Sequence, residues 1–451
     1  MSKGKKNNFY GFILIAILVL AAFVRLAYVN YAGGGIILEP DSQGYYVEHT
    51  SFTDDFLHNF FNVNRTPGYT MFTSLALGIT DHGHPIYKSP QFFSGTWIII
   101  VIQTILGLIG LIILYDTLIA LHISIPLCIA FTAFTGLNIY QFIWERAFLT
   151  EAMYIFIFIC LMRLFVRLMK KPTPGTGILF TILAIYGFEV RPAGLLLPFI
   201  LLPIVWLMHR TKKVFMLVAG LLLIYSSVPV AHLEMNKALY NFKGLSINTD
   251  FAVFGRFLHY NLPVDSAAGV QPLYDQVTAY RAAGGNTTIP WYFFVANNNE
   301  VYDHMADLQK FDSLVLRADW PAFVRTMIGD IPTAFSDTYV QEVLYRSPTP
   351  NPSRTLFDVL TFIVRALQQT TVIFLLFFPF SVWLFIKKQT ITNAFLLTIA
   401  LIEMYQLVAS LIYGGPWEFA RHMITTQTYL FFFCFWWVGK CVSWLRRRVI
   451  Q

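Results

Sequence analysis

Residues 96–120 read TWIIIVIQTILGLIGLIILYDTLIA. The stretch contains a single charged residue, Asp116, close to its end. About 18 or more predominantly apolar residues are enough to cross the hydrocarbon core of a bilayer as an α-helix. The stretch therefore predicts a transmembrane helix.

Similar apolar runs recur along the whole chain of 451 residues, of which 56% are hydrophobic and only 13% charged. Soluble domains carry about 25% charged residues, so this composition excludes a soluble enzyme, a disordered chain and a coiled coil. The predicted fold class is an all-α polytopic membrane protein with about ten transmembrane helices, one pair of which is interrupted by Arg191-Pro192. The predicted spans are 11–32, 96–120, 124–143, 147–169, 175–190, 193–208, 213–232, 357–386, 391–413 and 419–445.

Basic residues at the helix ends set the orientation. If the N-terminus is cytoplasmic and the helices alternate, thirteen basic residues fall at the inner ends, as the positive-inside rule requires. They are Lys3, Lys5, Lys6, Lys170, Lys171, Arg210, Lys212, Lys213, Lys387, Lys388, Arg446, Arg447 and Arg448. We therefore predict an integral, multi-pass protein of the cell (inner) membrane with both termini in the cytoplasm.

Two hydrophilic segments then lie outside. The first, 33–95, belongs to an N-terminal transmembrane module, 1–232, and the second, 233–356, precedes a C-terminal module, 357–451. The cytoplasmic loops are too short for a domain, so we expect the chemistry on the extracytoplasmic side. The chain also lacks a Walker-type phosphate loop.

The net charge of +7 does not indicate nucleic acid as a partner, because the positive charges cluster at helix ends. The cysteines do not suggest disulfides or a zinc site, since all four lie in or beside apolar runs. The acidic and histidine residues of segment 33–95 match no zinc spacing. We predict no cofactor, although a divalent cation stays open.

Charged and titratable residues gather at the outer ends of the predicted helices. Burying a charged residue in a membrane is costly, so a functional role is the first hypothesis for each of them. Arginine binds phosphate through two parallel hydrogen bonds, so this level of the membrane suits a phosphate-bearing lipid headgroup. Structural ion pairs and snorkelling helix ends remain alternatives for each of them. The residues are Glu39, Asp41, Arg65, Glu145, Arg146, Glu151, Glu189, Arg191, Glu418, Arg421 and His422.

Asp41 is the sharpest candidate for chemistry. It follows Pro40, which fixes the chain just before it, and Gly33-Gly34-Gly35, which end the first helix. A carboxylate held in this place can take a proton from an acceptor hydroxyl. The alternative is a carboxylate that only caps the following turn.

The ordered set of these elements resembles the GT-C superfamily of integral membrane glycosyltransferases, in particular the branch of protein O-mannosyltransferases and the lipid A aminoarabinose transferase. The resemblance covers the N-terminal 210 residues well and the last helix weakly. Two departures are His422, where tyrosine is common, and Glu39 placed two residues before Asp41 instead of an adjacent Asp-Glu pair. The matching elements are Phe23-Val24-Arg25-Leu26, Asp41 with Tyr45, Arg65-Thr66-Pro67-Gly68-Tyr69, Phe148-Leu149-Thr150-Glu151-Ala152, Arg191-Pro192-Ala193-Gly194 and Glu418-Phe419-Ala420-Arg421-His422.

The resemblance implies an inverting transfer of a hexose or pentose from a polyprenyl-phosphate donor to a hydroxyl of a glycan, lipid A or a protein, within a membrane-lipid environment. Asp41 would be the general base, with Glu39 beside it. The leaving phosphate would bind Arg65, Arg191 and Arg421, with Arg146 as a weaker candidate. The remaining substrate contacts would come from Tyr45, Tyr69, Glu151, Glu418 and His422.

Two other classes of protein stay open. A polysaccharide ligase or polymerase also uses undecaprenyl-linked donors, and a lipid or sugar transporter also has many helices and buried charges. The outer position of the charges and the early place of Asp41 favour the glycosyltransferase. Segment 233–356 would then handle the acceptor, and its aromatics, such as Trp291-Tyr292-Phe293-Phe294 and Trp320, either contact substrate or form a small core.

Overall fold

Helices make up nearly all of the regular structure. The computed structural model describes residues 3–31, 35–46, 56–79, 87–288, 290–297, 305–335, 354–413 and 419–449. Within these ranges the extended backbone is limited to one isolated bridge between Ile37 and Ala147. The principal helices are Lys3–Tyr31, Gly68–Ile79, Pro90–Ala120, Ile125–Leu137, Glu151–Lys170, Pro174–Val190, Leu197–His209, Lys212–Tyr240, Ile247–His259, Leu273–Ala282, Pro290–Ala296, Met305–Ala334, Arg354–Thr370, Phe374–Lys387, Ile391–Tyr413, Phe419–Ile424 and Gln427–Val449.

Eight helices in the described part of the chain are long and apolar enough to cross a membrane. A ninth span is the bent pair Ile125–Leu137 and Ile139–Arg146, whose halves meet at 51°, and Pro174–Val190 is a shorter apolar helix. Each of the ten predicted runs therefore has a helical counterpart. The all-α, polytopic fold class is confirmed, and the chain is an integral, multi-pass membrane protein.

Some of the predicted spans are broken. The break at Arg191-Pro192 follows from proline, which disfavours a helical conformation in the residue before it, and Arg191 is indeed extended with φ −153°. Two further breaks lie inside runs that we predicted to be continuous. One is a short 3₁₀ turn, Thr371–Ile373, within 357–386, and the other is Thr425-Thr426 within 419–445.

The helix Glu151–Lys170 lies at the centre of the bundle, with most of its side chains buried. Beside it, a buried ion pair joins the first helix to the segment before Glu151. Arg25 Nε donates to Glu145 Oε2 at 2.8 Å, and Arg25 Nη1 donates to the Gly136 carbonyl at 2.9 Å. Gly107 leaves room for this pair, because a Cβ there would lie 2.1 Å from Glu145 Oε1.

Helices between residues 242 and 323 enclose a second hydrophobic core, which also takes in Val63 from the first hydrophilic segment. Phe293 and Phe294 are fully buried in it, which matches the core interpretation for these two aromatics. Trp291, Tyr292 and Trp320 are exposed instead. This part of the chain therefore folds around its own apolar centre beside the membrane bundle.

Arg256 ties this second core to the bundle. Its Nη1 donates to Asp330 Oδ2 at 2.6 Å and to Thr326 Oγ1 at 3.0 Å, while Nη2 donates to the Leu411 carbonyl at 2.6 Å. Leu411 belongs to the span Ile391–Tyr413. One buried guanidinium thus joins two helices of the second core to a membrane helix.

Replacing Asp330 by alanine is expected to destabilise the protein by about 3 kcal/mol, because the Arg256 charge would stay buried without its carboxylate. The loss can be measured by denaturant unfolding of the detergent-solubilised protein, followed by tryptophan fluorescence. Asp275→Ala is the matched control, since Asp275 is an exposed aspartate of the same segment. Equal stability of the two variants would contradict a tethering role for Arg256.

Candidate functional site

The segment that carries Asp41 is a tight turn. Residues Pro40–Tyr45 form a short 3₁₀ helix with Asp41 in its first turn. Ser42 closes the turn with two hydrogen bonds, since its N–H donates to the Glu39 carbonyl and its Oγ accepts from the Glu39 N–H, both at 2.9 Å. The Asp41 side chain is 35% exposed. The turn therefore presents this carboxylate to the surroundings while its backbone stays fixed.

The same segment is fastened to the chain just before the central helix. The Ile37 N–H donates to the Arg146 carbonyl at 2.8 Å, and the Phe148 N–H donates to the Ile37 carbonyl at 3.0 Å. These two bonds hold segment 35–46 beside the residues that lead into Glu151. Two regions of the sequence that we predicted for the site are thereby brought together.

Asp41 forms an ion pair with Arg65, whose Nη2 lies 3.0 Å from Asp41 Oδ1. Arg65 also donates from Nη1 to the Tyr45 hydroxyl at 2.9 Å, and its guanidinium lies 4.6 Å from the centre of the Tyr45 ring. Gly44 makes room for this arrangement, because a Cβ there would lie 3.3 Å from Arg65 Nε. The structure thus places Arg65, a predicted phosphate ligand, directly beside the predicted base.

Tyr69 extends this cluster into the protein interior. Its ring meets the Tyr45 ring edge-on, with centroids 5.4 Å apart, and its hydroxyl donates to Gln103 Oε1 at 3.1 Å. Burial raises the pKa of the Tyr69 phenol well above its ordinary value, and Glu151 and Tyr45 raise it further. Tyr69 therefore stays neutral, and its neighbourhood reaches as far as Glu151.

Glu151 belongs to a second, buried cluster. Arg191 Nη1 donates to Glu151 Oε1 at 2.8 Å and to Thr150 Oγ1 at 3.3 Å, while Arg191 Nη2 lies 2.9 Å from His422 Nδ1. The helix break at Arg191-Pro192 therefore points the guanidinium between the central helix and helix Phe419–Ile424. Three predicted site residues from distant parts of the sequence meet here.

Arg146 differs from Arg65 and Arg191. It is buried, its Nη2 donates to the Gly35 carbonyl, and its guanidinium lies 5.5 Å from the centre of the Tyr28 ring. Its Nε and Nη1 have no hydrogen-bond partner, and no carboxylate among the described residues pairs with it. A buried cation with unused donors is costly unless an anion binds to it.

The remaining predictions are less well located. Glu39 is buried at the start of the Asp41 turn. Arg421 lies in helix Phe419–Ile424, but its side chain falls outside what the structure describes, as does the whole of Glu418. The roles of all the predicted site residues stay predictions.

Sequence reasoning missed Gln103. This side chain accepts from Tyr69 and donates from Nε2 to the carbonyls of Glu145 at 3.0 Å and Ala147 at 3.2 Å. It thus connects the Asp41 cluster with the segment that carries Arg146. An uncharged polar residue inside the apolar run 96–120 indicates a buried hydrogen-bonding role, but the prediction at membrane depth rested on charged residues alone.

No group of three or more metal-ligating side chains lies among the described residues. The four cysteines are free thiols. Of the acidic and histidine residues of segment 33–95, those outside the described ranges are Glu48, His49, Asp54, Asp55, Asp81, His82 and His84.

No family model matches the sequence, and no curated protein matches it. Ten chains of solved structures align with this chain, and two of them illustrate the likeness. They are the oligosaccharyltransferase of Archaeoglobus fulgidus in its apo form and the archaeal oligosaccharyltransferase AglB from the same organism in complex with an inhibitory peptide and a dolichol-phosphate. Their identities are 13% and 11%, both TM-scores are 0.46, and each alignment covers 97% of this chain and 52% of the other. The chain thus spans about half the length of these proteins.

Fold and site together define an all-helical, multi-pass membrane protein. Its candidate site contains a partly exposed carboxylate–arginine pair, a buried arginine–glutamate–histidine cluster, and an arginine that has no carboxylate partner among the residues that the structure describes.

Proposed function

We propose that the protein is an inverting glycosyltransferase of the GT-C type. It moves a sugar from a polyprenyl-phosphate donor to a hydroxyl acceptor on the extracytoplasmic face of the membrane. The observation that carries the proposal is the placing of two complementary groups on one short segment. Residues 35–46 present the Asp41 carboxylate, and the same segment accepts a hydrogen bond from the Arg146 guanidinium at the Gly35 carbonyl, while the Ile37 N–H donates to the Arg146 backbone carbonyl.

Asp41 is the general base of the proposed reaction. Its carboxylate takes the proton of the acceptor hydroxyl while the hydroxyl oxygen attacks the anomeric carbon of the donor. Arg65 holds this carboxylate from one side at 3.0 Å, and the partial exposure of Asp41 leaves access for an acceptor. Attack from the side opposite the phosphate inverts the configuration of the sugar.

Arg146 is the main candidate for the leaving phosphate. As the bond between the anomeric carbon and the phosphate oxygen breaks, negative charge grows on the polyprenyl phosphate. The two unused donors of the guanidinium suit that charge, and such preorganised groups supply a large share of catalysis in water-poor sites. In this proposal Arg191, which pairs with Glu151, and Arg421 also assist in binding the phosphate.

In the proposed reaction, arginine side chains supply the positive charge that stabilises the leaving phosphate, and no cofactor takes part. The expected donor is a monosaccharide on a polyprenyl phosphate, and the acceptor is a glycan, a lipid or a protein hydroxyl. A ligase or polymerase would instead transfer a preassembled oligosaccharide.

Purified protein in liposomes, supplied with glycan, lipid and peptide hydroxyl acceptors that take up the sugar, is expected to release polyprenyl phosphate from one member of a panel of undecaprenyl- and dolichyl-phosphate monosaccharides. Mass spectrometry of the lipid fraction measures the release, and EDTA is expected to leave it unchanged. Empty liposomes and protein inactivated by heat are the controls. Turnover of lipid-linked oligosaccharides alone would favour a ligase. Movement of intact donor across the bilayer without release would favour a transporter.

A further inference from the structure

A cavity of about 470 Å³ lies in the second core region. It opens between helices Ile247–His259 and Met305–Ala334 and reaches Ile412 of the neighbouring span. Polar and apolar side chains share its wall, and the polar ones are Thr249, Asp250, Gln309, Asp312, Ser313 and Arg317.

Asp312 is the unusual member of this lining. The residue is only 2% exposed, and neither carboxylate oxygen has a hydrogen-bond partner in the part of the chain that the structure describes. Nearly all buried polar groups in proteins are hydrogen-bonded, because leaving one unsatisfied costs about 1–3 kcal/mol. A buried, unsatisfied carboxyl group that lines a cavity therefore indicates a missing hydrogen-bond donor.

Asp250 lies close enough to Asp312 for the two charges to interact. Burial raises the pKa of Asp250 to about 6, although a hydrogen bond from Gln309 Nε2 at 3.3 Å opposes the shift. Burial and the Asp250 charge together raise the pKa of Asp312 well above its usual range. The protonated form of Asp312 is thereby favoured relative to that of an exposed aspartate, and a protonated carboxyl group donates a hydrogen bond as well as accepting one.

The size and the lining of the cavity narrow the class of ligand. A volume of about 470 Å³ exceeds that of a single ion by far and lies within the usual range for small-molecule sites. Hydroxyl groups can bond to both acids, and the apolar wall formed by Val253, Leu316 and Ile412 suits C–H surface. A carbohydrate has both kinds of surface.

The cavity is also joined to the loop that carries Arg65. Asn248, two residues before Asp250, donates from Nδ2 to the Asn64 carbonyl at 2.7 Å. The Ile247 N–H donates to the Val63 carbonyl at 2.8 Å, and Ser246 Oγ donates to the Asn64 carbonyl at 3.1 Å. The wall of the cavity and the backbone next to Arg65 therefore form one continuous structure.

We propose that this cavity binds a sugar unit of a hydroxyl-rich acceptor, with Asp250 and Asp312 as its principal hydrogen-bond partners. The role as acceptor site rests on the proposed glycosyltransferase function. Binding of carbohydrate to the cavity does not rest on that function, because it needs neither the donor nor turnover.

The test is direct binding of carbohydrate to the full-length protein in lipid nanodiscs. An array of neutral and amino-sugar oligosaccharides is probed first, and the affinity of the tightest ligand is then measured by calorimetry. Asp312→Asn and Asp250→Asn are each expected to weaken binding at least about 10-fold. Ser313→Leu fills the cavity from its wall and is expected to weaken binding as strongly while both acids stay in place. Asp275→Asn, an exposed aspartate of the same segment, is the matched control.

Several results would overturn the proposal. The first is that no oligosaccharide on the array binds. The second is that binding survives both Asp312→Asn and Ser313→Leu, and the third is that the Asp275→Asn control loses affinity. Calorimetric binding of Ca²⁺ or Mn²⁺ that depends on Asp312, without carbohydrate binding, would assign the acids to a cation instead. Carbohydrate binding without any sugar transfer would keep this site and reject the proposed function, so the two failures are distinguishable.

Discussion

Replacing Asp41 by asparagine is expected to lower the rate of sugar transfer about 10²- to 10⁴-fold, the range typical for loss of a general base. Asparagine has nearly the same size and can still accept a hydrogen bond from Arg65, so the turn Pro40–Tyr45 should persist. What it lacks is a group that takes the proton from the acceptor hydroxyl. The rate is measured with the donor identified in the liposome assay and saturating acceptor.

Glu39→Gln is the informative comparison for this variant. Glu39 lies two residues from Asp41. Its backbone N–H and carbonyl close the turn by bonding to Ser42, whereas the ion pair with Arg65 is formed by Asp41. We expect it to retain most of the activity, since glutamine preserves the backbone bonds with Ser42. Full activity in Asp41→Asn combined with loss in Glu39→Gln would transfer the role of base to Glu39. Full activity in both would reject carboxylate catalysis in this turn.

The spans could be predicted from sequence because the length of an apolar run is a direct physical requirement of the bilayer. The break at Arg191-Pro192 was also visible, since proline imposes it locally. The bend at Asn138 and the 3₁₀ turn Thr371–Ile373 were not. Neither contains proline or glycine. At the bend, Asn138 is the N-cap of helix Ile139–Phe142 and its side chain accepts from the Tyr140 N–H at 3.1 Å, so a local cap takes part in this break.

Alternation of the helices led us to expect the candidate residues at one membrane level, but it could not give their partners. Arg65 and Arg191 were both predicted to bind phosphate, and the structure pairs them with Asp41 and Glu151. The choice of partner depends on how the Asp41 turn docks against residues 146–148, which no spacing in the sequence reveals.

The surroundings of Arg146 are a second feature that the sequence did not reveal. Its neighbours Glu145 and Glu151 suggested a local ion pair, which made it the weakest of the four arginine candidates. In the 3₁₀ turn Ile143–Arg146, adjacent side chains leave the backbone in different directions. Glu145 therefore pairs with Arg25 and Glu151 pairs with Arg191, and Arg146 is left without a carboxylate.

Replacing Arg146 by methionine is expected to lower transfer about 10²- to 10³-fold, as for removal of one preorganised group that stabilises a developing anion. The apparent KM for the donor should rise as well, because the phosphate is present in the ground state. Arg146→Lys should recover only part of the activity, since an ammonium group cannot provide the two parallel hydrogen bonds of a guanidinium. Steady-state release of polyprenyl phosphate over a range of donor concentrations measures both parameters.

The thermal stability of Arg146→Met distinguishes a role of Arg146 in phosphate binding from a purely structural role. Methionine at position 146 removes a buried charge that has no carboxylate partner, so thermal unfolding in detergent should occur at the same temperature as in the wild type, or higher. Arg25→Met is the matched control, because it removes an arginine from a buried ion pair and leaves Glu145 uncompensated, which should lower that temperature clearly. An Arg146→Met protein with wild-type donor kinetics would place the phosphate elsewhere. An unstable Arg146→Met protein would indicate that the guanidinium serves the fold instead.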